Sequence, residues 1–597
     1  MTVVYPSLES PEFATGFEEV IRQIDDLVQL FDAHDVGQRV AAPLDDGTVT
    51  TFEEVTNQLN RLLERIETLN AYIAAFVTTD SRNSLAQAKA SELQQRQVKV
   101  AQLGTRYAAW IGSLDLPALI ERSTMAREHA FPLEQLQVQA QHLMSPQEEA
   151  LAAELRPSGG SAWSRLQGDV SSQLEVPLEV EDEPRLLPMS AVRNLAHDPD
   201  RAVRRRAYEA ELAAWERAAL PLAAAMNGIK GEVNTLAARR GWASPLDAAL
   251  FDSRIDRTTL DVMLGAAEEA FPTFRRYLRA KARVLGVSAL AWYDLFAPVG
   301  EDAAAAKRWD FATGSAFIVD RFGAYSPKLA QFAERAFRER WIDAEPRPGK
   351  RDGAFCMSLR GDESRILANY QSSYDAVSTL AHELGHGYHN LCEAGLTPLQ
   401  RETPMTLAET ASIFCETIVR EAAMAQTDEQ GQFAILEASL QNSCQIVVDI
   451  ASRFRFEERV FGARRARNLA VEELNELMLG AQRETYGDGL DAEALHPYMW
   501  AVKSHYYSPG RSFYNYPYMF GLLFGLGLYA HYREEPEGFR RGYDDLLAST
   551  GRADAATLAA RFGIDIQTRD FWRTSLDMIR LDVDRFETLV ARSVPEG

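Results

Sequence analysis

Cysteine is scarce in this chain. Its four cysteines, Cys356, Cys392, Cys415 and Cys444, are widely spaced among 597 residues and form no Cys-x-x-Cys pair. At this size that excludes a disulfide framework and fits a reducing compartment. Positive charge is short as well. Lys+Arg 63 against Asp+Glu 86 leaves a net charge of −23, so nucleic acid is not an expected partner. Long apolar runs are missing too. The longest, Met519 to Ala530, contains glycines and is too short to span a bilayer. The first ten residues have neither a basic start nor an apolar stretch, so no signal peptide is expected and the protein reads as cytoplasmic, without a membrane partner. Internal repeats and low-complexity segments are absent from the sequence.

What is present is enough apolar material, 46% of residues, for a large core or several domains. Residues 14 to 36 read as a helix. From Thr50 to about Leu114 the chain is helical and nearly free of glycine and proline, with Leu59, Leu62, Leu63, Ile66, Leu69, Ile73 and Phe76 forming an apolar stripe. No sustained heptad accompanies it, so an intramolecular hairpin or bundle is expected rather than a coiled coil. Residues 115 to 190 are a second helical patch, broken by a loop at Arg156-Pro157-Ser158-Gly159-Gly160-Ser161. Leu174 to Val180 reads as a short strand, confined to a sheet edge by Pro177. Helices follow from Pro199 to about Arg340. There the Arg204-Arg205-Arg206 cluster, followed by Glu209, Glu211 and Glu216, reads as a salt-laced solvent face. The clear β region is a hairpin, 353–359 and 364–370, joined by Arg360-Gly361-Asp362-Glu363. Its edge is expected to take up an extended peptide through backbone hydrogen bonds.

Histidine is rare at ten residues, yet two stand in His382-Glu383-Leu384-Gly385-His386. Val377, Leu380 and Leu384 recur at helical spacing and no proline interrupts them. On a helix the two imidazoles lie on one face about one turn apart and reach one ion. Zinc takes neutral imidazole readily, and a catalytic site keeps one position open for water. Glu383 is rotated about 100° from His382, beside the metal, where its carboxylate takes a proton from the activated water. His389, three residues beyond His386, is expected to be a pocket wall or to support the ligands, because a fourth protein ligand closes the site.

A third ligand is needed, and carboxylate is the common choice. Downstream stand Glu393, Glu402, Glu409 and Glu416. Thr403-Pro404 reads as an N-cap and first helical residue. The helix it opens would bury Leu407, Ala411, Phe414 and Ile418, and packed antiparallel to the first it would aim Glu409 at both histidines.

His382 to His389, followed by Leu407-Ala408-Glu409-Thr410-Ala411-Ser412, resembles the oligoendopeptidase F family, relatives of thimet oligopeptidase. Further likeness runs through Asp198 to Arg204, Ala207-Tyr208-Glu209-Ala210, Trp292-Tyr293-Asp294-Leu295, Arg340-Trp341-Ile342-Asp343 and Gly349 to Phe355. The resemblance covers about residue 115 to the C-terminus. It implies that Glu409 is the third zinc ligand. It implies a mainly α, two-lobed zincin-type peptidase with a small β-sheet beside the metal helix and a deep channel that admits short unstructured peptides. The expected division is a helical bundle at 1–114, an oligopeptidase-F-like domain at 115–195 and a catalytic domain at 196–597, with one zinc per chain. The expected reaction is hydrolysis of internal peptide bonds. A metallocarboxypeptidase is the rival, with Lys503 or Arg511 as its carboxylate anchor, and a silent peptide-binding protein is a third reading.

Lys503 to Tyr518 is dense in tyrosine around His505. From composition alone it reads as an aromatic packing cluster. The resemblance reverses that: the family uses a histidine and a late tyrosine here to stabilise the transition state. His505 is that histidine and Tyr518 the tyrosine, with Tyr516 and Tyr514 as rivals. Ser508-Pro509-Gly510-Arg511-Ser512 expands the family's spacing, and its Pro-Gly pair makes the segment a candidate mobile loop.

Overall fold

The computed structural model describes residues 1–38, 43–180, 183–299 and 309–593. The stretch 300–308, inside the helical run expected from Pro199 to Arg340, lies outside them. Helices dominate throughout, and the chain divides into two compact units. The first comprises Met1–Leu143, Ala305–Ala422 and His531–Phe562; the second comprises Met144–Ala304, Ala423–Ala530 and Gly563–Gly597.

The first unit begins with three long helices: α1 (Pro11–Ala33), α2 (Asp46–Thr79) and α3 (Ser84–Gly112). Ser10 caps α1, with its hydroxyl accepting the Phe13 N–H and Pro11 in the first turn. The helix stops short of the expected residue 36, where Asp35 turns into the left-handed region at φ 51°. The stretch from Thr50 to Leu114 is not one helix. It folds back at 80–83, where Asn83 accepts the Ala86 N–H at 3.0 Å and starts α3. Leu59, Leu62, Ile66, Leu69 and Ile73 are buried in a shared core with Phe13, Phe17 and Trp110, and Leu63 and Phe76 pack on its margin. The stripe is used within the chain, as a bundle.

The same unit holds the three-stranded sheet, in the order β3-β5-β4. β4 (Phe355–Arg360) and β5 (Glu363–Leu367) form the expected antiparallel hairpin, turning at Gly361 (φ 51°). β3 (Ile342–Asp343) adds a parallel strand, too short to leave a periodic signal. β4 is an edge of this sheet, and the sheet lies against the helix Tyr374–Cys392, whose Asn390 amide donates to Ser364 Oγ at 3.1 Å.

In the second unit, β1 (Glu175–Val180) pairs antiparallel with β2 (Glu183–Pro188). In a two-stranded ribbon each strand is an edge, so Pro177 forfeits no ladder bond that a central strand needs. One sequence expectation is corrected here. Arg204 does not belong to a solvent face: it is buried, and it shares Asp294 with Arg201, at 3.0 and 2.9 Å. Asp294 is fully buried, and the two guanidinium groups satisfy its oxygens there. Arg205 and Arg206 are exposed as expected, and Arg205 pairs with Glu209 one turn on, whereas Glu211 is buried. No helix among the described residues is long and apolar enough to cross a membrane.

Candidate metal centre

Ser373 starts the helix Tyr374–Cys392 by accepting the Ala376 N–H at 3.2 Å, and Val377, Leu380 and Leu384 bury one face. His382 and His386 then lie one turn apart, with ring centroids separated by 4.9 Å. Glu409 comes from a break in the backbone. The helix that opens at Pro404 lasts four residues, Met405–Ala408, and a second, Thr410–Gln426, follows Glu409. Pro404 itself, not Thr403, occupies the cap position, in extended conformation. A proline N-cap offers no side-chain oxygen, which suits a short turn rather than a long helix.

Glu409 Oε2 lies 3.2 Å from His382 Nε2 and 3.3 Å from His386 Nε2. Ser412 Oγ steadies the same oxygen at 2.7 Å. Among the described residues, His382, His386 and Glu409 are the group whose ligand atoms converge as a metal site requires. All three ligand atoms lie within 4.8 Å of one another, close enough to reach one metal ion.

This approach depends on Gly385. A Cβ placed there would sit 2.6 Å from Ser412 Cα and 2.7 Å from the Ala411 carbonyl oxygen. No flexible side chain is available to yield. Gly385→Ala should therefore part the two segments that carry the ligands. Overpacking of this kind costs about 1–3 kcal/mol. The expected result is a lower thermal midpoint together with weaker metal retention; a variant with parental metal content and midpoint would contradict it.

The other three glutamates are deployed differently. Glu416 stands behind His382, with Oε2 3.1 Å from Nδ1 and Oε1 accepting from Ser378 at 3.2 Å. A proton on Nδ1 directed at Glu416 leaves Nε2 free to ligate. Glu416 is thus a positioning residue, and the sequence signal for it is its place two turns beyond Glu409. Glu393 accepts from the Thr403 and Thr550 hydroxyls at 2.9 and 3.2 Å, and burial pushes its carboxyl up to about 7. Glu402 is exposed and outside the convergent group. His389 is buried with Nε2 3.1 Å from the Leu547 carbonyl and 2.9 Å from Thr550 Oγ1, as a hydrogen-bonded core histidine.

Electrostatics agree with a cation site. Burial pulls the His382 imidazole down, but Glu409 and Glu416 outweigh it and push it up to about 10. Burial raises Glu409, yet its bonds to both histidines hold it well below the usual carboxylate range. Two carboxylates that hold a proton on an imidazole also favour a divalent ion that displaces it. Glu383 is 6% exposed; burial raises its carboxyl, and the Cys356 backbone N–H on β4 opposes that. Its Oε2 has no hydrogen-bond partner, so it is an acceptor without a proton to accept.

A family model described as peptidase family M3 matches residues 194–578, more than half of the chain. The chain belongs to peptidase family M3. Membership implies a bound metal ion, and His382, His386 and Glu409 could hold it. A second model, described as oligopeptidase F, matches residues 114–175 of this M3 peptidase. An oligoendopeptidase F homolog of Lactococcus lactis is 22% identical over 557 residues, 90% of each chain. Group B oligopeptidase PepB of Streptococcus agalactiae is 24% identical over 588 residues, 95% of each. The crystal structure of oligoendopeptidase-F from Enterococcus faecium matches with a TM-score of 0.71 at 18% identity, over 97% of this chain and 99% of that one, which shows a common fold.

The tyrosine-rich segment of the M3 peptidase lies in the second unit. His505 sits on a 3-10 turn, Ser504–Tyr507, and its ring stacks on Tyr514 at 5.7 Å. The Tyr514 and Tyr518 hydroxyls are 2.8 Å apart, and both side chains are half-buried. Tyr516 is separated from them in role: it is buried, and its hydroxyl donates to the Ala249 carbonyl at 3.0 Å. His505 Nε2 is buried without a partner, and burial with the nearby Arg453 pulls the imidazole down to about 3, keeping it neutral. The Pro509-Gly510 segment is held by Arg156, which donates to the Pro509 carbonyl at 3.4 Å.

Proposed function

We propose that this M3 peptidase hydrolyses internal peptide bonds of short, unstructured oligopeptides, with one zinc ion per chain held by His382, His386 and Glu409. The convergence of two imidazole nitrogens on one carboxylate oxygen, with the unpartnered Oε2 of Glu383 beside them, carries the reading. Zinc at such a site polarises a carbonyl and makes water acidic enough to attack it near neutral pH.

The chain's own groups do the remaining work. Glu383 takes the proton from the attacking water and returns it to the amine that leaves. Glu416 fixes the His382 ring. β4, an edge strand, gives an extended peptide backbone partners and tolerates varied side chains. His505, neutral and with an unpartnered Nε2, and Tyr518 donate to the carbonyl oxygen as it becomes negative. All four cysteines are free, which supports a reducing, cytoplasmic setting.

An internally quenched peptide blocked at both ends tests the reaction class. An endopeptidase cuts it; a carboxypeptidase or a silent binding protein leaves it intact. For the oxyanion donors, Tyr518→Phe removes one hydroxyl and keeps the ring. Loss of a single such donor typically lowers kcat by about 10² to 10³, and His505→Ala is expected to match it with zinc content intact. Tyr516→Phe, with its hydroxyl tied to Ala249, is expected to lose stability rather than turnover. Normal kcat in the Tyr518 and Tyr514 variants alike would remove the tyrosines from the chemistry.

A further inference from the structure

Ion pairing around His505 is uneven. Four cations act in this part of the second unit: Arg193, Lys230, Arg453 and Lys503. Three have a carboxylate. Arg193 pairs with Glu211, Arg453 with Asp449, and Lys230 with Glu457 at 2.6 Å. Those acids are already engaged, Glu211 additionally by His496 Nε2 at 3.3 Å and Trp215 Nε1 at 3.1 Å. Lys503 alone of the four has neither an ion pair nor a side-chain hydrogen bond among the described residues.

Its position is defined by the turn that carries His505. Lys503 flanks the N-terminal end of that turn, and its carbonyl accepts the Tyr506 N–H at 3.2 Å. The side chain is half-buried. Burial and the like charge of Arg453 pull the ammonium down to about 8. In the same turn His505 Nε2 and the Tyr506 and Tyr507 hydroxyls are buried without partners. Buried polar groups are normally satisfied, and the unpartnered His505 Nε2 lies two residues along the turn from a lysine that has no ion pair.

We propose that Lys503 anchors a carboxylate of the substrate, either its C-terminal group or an acidic side chain. An incoming carboxylate supplies the ion-pair partner that Lys503 lacks and accepts from the ammonium, whose compact charge and three donors suit it. The proposal rests on the peptidase reading above and adds a preference to it.

The test uses the full-length, zinc-loaded enzyme and four matched peptides. One pair has the same cleavable sequence ending in a free acid or an amide. The other pair is amidated and carries Glu or Gln at one position beyond the cleaved bond. The parent should prefer one acidic member over its neutral match by about ten- to a hundredfold in kcat/KM, mostly through KM, as a charged hydrogen bond typically provides. Lys503→Met should bring that ratio close to one, and Lys503→Arg should keep most of it. Discrimination in the first pair assigns the anchor to the C-terminus; discrimination in the second assigns it to an acidic side chain. A parent that cuts all four peptides without preference overturns the anchor, as does a Lys503→Met variant that retains the parental ratio. A parent that cuts none of them overturns the peptidase reading itself.

Discussion

Glu383→Gln is expected to keep its zinc and lose about 10² to 10⁴ in kcat, the span that general acid–base assistance usually contributes. The amide is nearly the same size as the carboxylate, so the packing around this 6% exposed side chain is preserved. The change removes the proton acceptor. Glu383 Oε2 has no hydrogen-bond partner in the folded chain, and a purely structural carboxylate would not be left so, because an unpaired buried acceptor costs about 1–3 kcal/mol. The variant should therefore be no less stable than the parent while nearly inactive. Turnover within about threefold of the parent would take Glu383 out of the mechanism.

Glu409→Ala is expected to act one step earlier, on the metal. It removes the oxygen 3.2 and 3.3 Å from the two imidazoles and leaves a two-ligand site. Outer partners of metal ligands cost about 10- to 100-fold in affinity when removed, and loss of a ligand itself should exceed that. Zinc content after dialysis should fall to a small fraction of the parent's. Glu402→Ala should retain its zinc, since Glu402 is exposed and outside the convergent group. Glu393→Ala should also retain zinc but lose stability, because Glu393 joins Thr403 and Thr550 in the core. Full occupancy in Glu409→Ala with loss in either of the others would reassign the third ligand.

Local chemistry was the legible part. His382 and His386 are one helical turn apart, so their common face follows from spacing alone, and the stripe from Leu59 to Phe76 likewise foretold a helix packed on neighbours. Where partners come from distant segments, the sequence underdetermined the outcome. Glu409 was singled out as a helical residue, yet it occupies a junction between two helices, and the missing side chain at Gly385 lets the start of the second approach closely. Glu416 looked equivalent to Glu393 and Glu402 until folding placed it behind His382. Arg204 read as solvent-facing because Glu209 follows it; its true partner, Asp294, is 90 residues away. β2 carries prolines at 184 and 188 and no alternation, so only its pairing with β1 reveals it. Among the tyrosines, periodicity could not separate Tyr518 from Tyr516, whereas one hydrogen bond to Ala249 does.

The most direct test of a zinc-dependent endopeptidase is a titration. The purified chain is stripped with a chelator, then given zinc in steps while cleavage of the doubly blocked quenched peptide is followed. Turnover should vanish on stripping and return in full at one zinc per chain. Undiminished cleavage by the stripped protein, or none after zinc is restored to a chain that remains folded, would contradict it.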